Sequence, residues 1–193
     1  MCGLLCMYNQ NEDLSNQITT FNKMLSLIKY HGSDNYKIIN DHHVLLGHCQ
    51  VSTIDTNNDK QPFEYIYNNI KYSIVYNGEI YNMGTIKEQL INEGFHFSSQ
   101  NDTEVIIVSF IAYGPRCLNL FDGSFSFVIS YQNKLFIARD HLGVKPLYYY
   151  HKNNLFIFSS EIKCILMYLQ HCIVDKTGIK ELLGLGPSIS PGR

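Results

Sequence analysis

None of the six cysteines in this 193-residue chain stands in a C-x-x-C pair. Cys2, Cys6, Cys49, Cys117, Cys164 and Cys172 are scattered along a chain long enough to bury a core without covalent staples. Free thiols are therefore expected, and a dithiol redox protein is not. No stretch approaches the roughly 20 apolar residues of a membrane span. The start carries no positive region, and its apolar run breaks at Tyr8-Asn9-Gln10, so no signal peptide and a cytoplasmic location are expected. Charge of one sign is also missing: 15 Lys and Arg oppose 17 Asp and Glu, for a formal net charge of -2. No basic stripe runs between the aromatics, which argues against nucleic acid and membrane surfaces as partners. Repeats, low-complexity tracts and internal linkers are lacking too. A single domain over residues 1–193 is the expectation.

What is present is a mixed pattern of short elements. Residues 2–8 read as a strand. Residues 14–29 place Ile18, Phe21, Met24, Leu25 and Ile28 at helical spacing. Strand-like runs follow at 36–39, 43–48, 63–67 and 70–76, with Asn68-Asn69 as a hairpin turn. Thr85 and Glu88 form a capping box that predicts a helix start, and Gly94 its end. A further helix is predicted over about 103–113, then strands from 124 to 159 with turns at Gln132-Asn133 and Asn153-Asn154. A last helix is predicted from near Ser160. Blocks of strands joined by short turns predict an α+β fold with largely antiparallel sheets.

Two sites carry chemistry. Cys2 follows Met1, and a small second residue permits removal of that methionine, placing thiol and free α-amine on one residue. The amine titrates near ~7.7–8.0 and could take the thiol proton. A small buried strand cysteine is the plainer alternative. In "YNGEIYN", Tyr76 to Asn82, Asn77-Gly78 reads first as a tight turn after a strand. The same pair could supply a carboxamide and a backbone N–H to an oxyanion. Asp102 precedes Thr103 where a helix N-cap is expected, and Glu79 reads as a turn carboxylate. His42, His43, His48 and Cys49 lie close in sequence, but adjacent strand side chains face opposite ways, and no metal site is expected.

The strings "MCG", "NGEIYN" (77–82), "NDTEVI" (101–106), "DGSFSFVI" (122–129), "ARDHLGVKPLYY" (138–149) and "SSEIKCIL" (159–166) occur in an order that resembles the glutaminase domain of glutamine-hydrolysing asparagine synthetases. These form a branch of the class II glutamine amidotransferases, and the resemblance runs from Cys2 to about Gly192. It implies a four-layer αββα sandwich of the N-terminal nucleophile hydrolase type. It implies Cys2 as the nucleophile that releases ammonia from glutamine through a thioester, with Asn77 and Gly78 as the oxyanion hole. Glu79 and Asp102 would hold the substrate α-amino group, and Gln50, Val51, Ser52, Thr53 and Ile54 would line its pocket. The expected partners are L-glutamine and a synthetase domain, in cis or in trans, as ammonia acceptor; a homodimer is left open. No cofactor is expected in this domain, because ATP and magnesium belong to the synthetase domain, which is expected to be absent from these 193 residues.

Departures from the family pattern bear on substrate binding. "HCQVSTID" (48–55) stands where His-x-Arg-Leu-Ser-Ile-x-Asp is common, so Gln50 replaces the arginine that would grip the α-carboxylate. A hydrogen bond to a charged group contributes roughly 1.5–3 kcal/mol, or ~10-fold to ~150-fold in affinity. "HGSD" replaces Arg-Gly-Pro-Asp, with His31 and Ser33, and Asn101 replaces a common serine. Gln50, Ser33 and His31 speak for the alternative expectation, a non-catalytic or altered-specificity binding module. The joint presence of Cys2, Asn77 and Gly78 counts against it, so hydrolysis of a glutamine-like amide remains the expectation.

Overall fold

In the computed structural model, residues 3–31, 35–50 and 61–185 are described. Two antiparallel sheets form the centre. The first has five strands in the order β2 (Asn35–Asp41), β3 (Val44–Gln50), β1 (Gly3–Asn9), β9 (Leu155–Ser159) and β8 (Tyr148–Lys152). The second has four: β4 (Phe63–Tyr67), β5 (Ile70–Ile80), β6 (Gly123–Tyr131) and β7 (Lys134–Arg139).

Strand alternation sorts the apolar residues into three cores. On β1, Leu5 and Met7 face helices α1 (Ile18–Ser26) and α4 (Ile162–Leu169), packing with Phe21, Met24, Leu25 and Ile165. Leu4 and Cys6 face the other way, toward Val75 and Val128 of the second sheet. On β5, Ile74, Tyr76 and Ile80 turn toward α2 (Met83–Asn92) and α3 (Asp102–Tyr113). The order is thus helix, sheet, sheet, helix, the expected four-layer sandwich. Helix α3 is buried on every residue from Thr103 to Phe110, with apolar Val105, Ile106, Ile107, Val108 and Phe110 on all sides and Glu104 and Ser109 satisfied by hydrogen bonds.

The expected hairpin turns are present, with Asn68-Asn69 and Gln132-Asn133 both at positive φ, the conformation a two-residue hairpin requires. Several boundaries differ. The 14–29 helix is split: α1 proper covers Ile18–Ser26, between 3-10 turns at Ser15–Gln17 and Lys29–His31. Helix α2 begins at Met83, ahead of the Thr85–Glu88 capping box. Its N-cap residue Asn82 donates to the Leu120 carbonyl and accepts from the Asp122 N–H, tying the chain entering α2 to the segment entering β6. Helix α4 starts at Ile162, because Ser160 Oγ accepts from the Leu4 N–H, 3.0 Å away, and anchors β1 instead. One further helix, α5 (Lys176–Leu185), was not expected from the sequence.

Candidate active site

Tyr76, Asn77, Gly78 and Glu79 lie inside β5, not in a tight turn after it. The strand continues because Asn77, Gly78, Glu79 and Ile80 keep register with Ser126, Phe125, Ser124 and Gly123 of β6. Gly78 has a φ of 158°, which L side chains rarely adopt, and space constrains it further. An added Cβ would stand 2.2 Å from the Ser124 carbonyl oxygen and 2.7 Å from the Phe125 Cα. Opposite it, Gly123 is just as tight against the Glu79 carbonyl.

On the other edge of β5, β4 ends at Phe63, opposite Ile74. Residues 76, 78 and 80 extend past it, and because backbone N–H directions alternate along a strand, all three amides point to this open edge. The Phe125 N–H turns the other way, to Asp140 Oδ2 at 3.2 Å. Tyr76 N–H donates to Gln61 Oε1 at 2.6 Å, and Ile80 N–H donates to Asp102 Oδ2 at 3.2 Å. The Tyr76 carbonyl accepts from His48 Nε2 at 3.0 Å. Among the described residues, nothing accepts from the Gly78 N–H between them. Nor does any described group bond the carboxamide of Asn77, although that residue is only 6% exposed. Gly78 is half-buried, and the Asn77 carboxamide is not sealed from solvent, so the two are reachable from outside, and together they mark a place where a ligand oxygen can be received.

Two carboxylates border this edge. Glu79 is exposed. Asp102 is the first residue of α3, and the cap expected of it is made by Asn101, whose side chain accepts from the Glu104 N–H. The Asp102 carboxylate crosses to β5, accepting from the Tyr76 hydroxyl at 2.6 Å and from the Ile80 N–H. Burial pushes its carboxyl up, these two bonds pull it back, and the charge of Glu79 raises it again. Two acidic groups in mutual repulsion on one edge suit an ammonium group between them. Helix α3 is held in place by Glu104, fully buried, which accepts from the N–H and Oγ of both Ser98 and Ser99 at 2.6–2.9 Å.

Of the residues expected at the site, the fold brings together Asn77, Gly78, Glu79 and Asp102. Cys2, Val51, Ser52, Thr53 and Ile54, with Ser33, lie outside the described residues. Gln50 ends β3. Sequence reasoning missed His48 and Gln61 as members of the edge. His48 was visible in "HCQVSTID", but its partner 28 residues away was not. Gln61 carried no signal beyond preceding Pro62. The 139–146 segment is structural: Asp140 accepts from the N–H groups of Val144, Lys145 and Phe125, and the Arg139 guanidinium donates to the carbonyls of Gly143 and Lys145. His42 pairs with Asp13 and His43 with the Glu12 carbonyl, pointing away from any shared centre with His48. Among the described residues no three His, Cys, Asp or Glu side chains gather to hold a metal, and no helix is long and apolar enough to cross a membrane.

His48 gives a pH prediction. A carbonyl only accepts, so the ring donates through Nε2, and its burial favours the neutral form. Burial pushes it down to about 4 from an ordinary 6.5, against the pull of the Tyr76 carbonyl. The unfolded chain therefore takes up this proton first as pH falls. His48 contributes its full stability above pH ~6.5, loses it between ~6.5 and ~4, and levels off below, a total of about 3 kcal/mol. Urea unfolding of wild type and His48→Gln across this window should show the acid slope flattened in the variant. Equal slopes would contradict a buried neutral ring.

Comparison with known proteins bears on the family and the fold. A family model described as glutamine amidotransferase domain matches residues 1–191. The chain is 36% identical over 195 residues to glutamine-hydrolyzing asparagine synthetase 3 of Bacillus subtilis, covering 100% of this chain and 32% of that protein. To asparagine synthetase 1 of the same organism it is 32% identical over 187 residues, covering 95% and 29%. Among solved structures, glutamine phosphoribosylpyrophosphate amidotransferase from B. subtilis superposes with a TM-score of 0.71 at 19% identity, over 85% of this chain and 43% of that one. That likeness speaks to the fold alone. The chain spans about a third of the length of these curated relatives.

Proposed function

The chain belongs to the glutamine amidotransferase domain family, and from that membership we propose that it hydrolyses the side-chain amide of glutamine to glutamate and ammonia. The observation that carries this reading is the Gly78 N–H beside the Asn77 carboxamide, two donors held on one strand that no described residue engages. With Met1 removed, the α-amine of Cys2 accepts the thiol proton, and Sγ attacks the amide carbon. The carbonyl oxygen becomes an anion received by Asn77 and Gly78. The amine returns its proton to the leaving nitrogen, the C–N bond breaks, and ammonia departs. A water then attacks the thioester, with the amine again as base, releasing glutamate and restoring the thiol. Glu79 and Asp102 hold the substrate ammonium. The ammonia is destined for an ATP-dependent amide-forming reaction, asparagine synthesis being the one the relatives' names suggest, in a synthetase domain that binds the ATP and magnesium.

Steady-state release of ammonia and glutamate in equal amounts from L-glutamine tests the proposal, and no release above buffer would end it. Gln50 sets a second expectation. A neutral amide grips the α-carboxylate less firmly than a guanidinium, so Gln50→Arg should lower KM about 10-fold or more with kcat little changed. An unchanged KM would place residue 50 away from the carboxylate.

A further inference from the structure

Resting on the glutaminase reading, we infer that Gln61 and His48 are positioning residues that hold the Gly78 N–H ready for the oxyanion. Among the described residues, the open edge of β5 is finished by side chains from three separate elements rather than by a strand. A neighbouring strand would bond every second amide, that of Gly78 included. Discrete side-chain caps can skip one. Gln61, ahead of β4, accepts from the Tyr76 N–H at 2.6 Å, and His48, from the other sheet, donates to the Tyr76 carbonyl at 3.0 Å. These two bonds fix both peptide planes that flank the Tyr76 Cα. Asp102 fixes the plane carrying the Ile80 N–H. The peptide unit between Asn77 and Gly78 is therefore clamped from both ends, while among the described residues nothing accepts from its own N–H.

The roles are also chemically matched. Gln61 offers a neutral acceptor at the edge, and His48, 1% exposed, offers a neutral donor beside it. Neither brings a negative charge that would repel an oxyanion. Neither touches the substrate in this scheme; both act through β5.

Two measurements test this. In the wild-type protein, amide hydrogen exchange by NMR should find Tyr76 and Ile80 protected and Gly78 exchanging at least roughly 100-fold faster. In kinetics, Gln61→Met removes the acceptor at nearly constant shape, whereas Gln61→Glu retains one. Gln61→Met should lower kcat for ammonia release about 10-fold to 100-fold with KM within about 3-fold. Gln61→Glu, whose carboxylate sets a negative charge near the oxyanion, should be impaired at neutral pH but rescued toward the wild-type rate as pH falls and protonation leaves a neutral carbonyl acceptor. A merely structural role would lower stability in both variants without this split or rescue. The inference is overturned if Tyr76 exchanges as fast as Gly78, or if Gln61→Met, folded, turns over like wild type. Should Gln61→Met fail to fold, the exchange pattern decides, since it needs no variant. A wild type that shows the exchange pattern but releases no ammonia would refute the glutaminase reading, and the positioning role with it.

Discussion

Cys2→Ala is expected to drop glutamine-dependent ammonia release to the buffer level, a loss of at least about 10,000-fold, while the urea midpoint stays where it was. The size of the effect follows from the lack of a substitute nucleophile. Cys6 is fully buried, and burial pushes its thiol far above the ordinary range. Burial likewise pushes Cys117 up to about 12 and raises Cys164. Cys49 is buried on β3. A thiolate is the reactive form, so Cys6, Cys117 and Cys164 are inert at neutral pH, and Cys49 is closed off by its burial. Cys172 is exposed, but it follows α4 in sequence, far along the chain from the β5 edge. Ammonia release measured on equal amounts of both proteins checks the point, and a variant retaining even a tenth of the wild-type rate would show that the reaction does not run through residue 2.

The second large effect belongs to Gly78→Ala. The smallest side chain would place its Cβ 2.2 Å from the Ser124 carbonyl oxygen and 2.7 Å from the Phe125 Cα, both backbone atoms. Neither can swing aside as a side chain would. Strand β6 cannot simply retreat, because Phe125 is bonded through its N–H to Asp140 Oδ2 and through its carbonyl to the Asp140 N–H at 2.8 Å. Strand β5 must therefore shift instead, carrying the Gly78 N–H and Asn77 with it. Overpacking of this kind costs about 1–3 kcal/mol in stability. Misplacing an oxyanion donor should lower kcat about 100-fold or more. Denaturant unfolding and steady-state kinetics on the same preparation separate the two effects. Wild-type kcat in a folded Gly78→Ala protein would mean that this amide receives no developing charge.

The sheets and their turns were legible in the sequence because their signals are local. Alternating apolar residues mark the strands, and Asn68-Asn69 and Gln132-Asn133 tolerate the positive φ of a tight hairpin. The site was legible in part. Asn77-Gly78 carries a strong turn signal, yet here the glycine serves close approach to β6, a requirement set by a strand more than 40 residues further on. Asn101 and Asp102 are both good cap residues, and local chemistry does not choose between them. The choice is made by Tyr76 and Ile80, which draw the Asp102 carboxylate across to β5 and leave the cap to Asn101. The roles of Gln61 and His48 depend wholly on tertiary contacts with Tyr76. No spacing in the sequence encodes them.

The most direct trial of the account is covalent labelling by an electrophilic glutamine analogue, followed by peptide mass spectrometry. The expected result is one adduct per chain, on residue 2, in a protein whose leading methionine has gone, with glutamine protecting against it. An adduct on Cys172 alone, or a retained Met1 in protein that still releases ammonia, would contradict it.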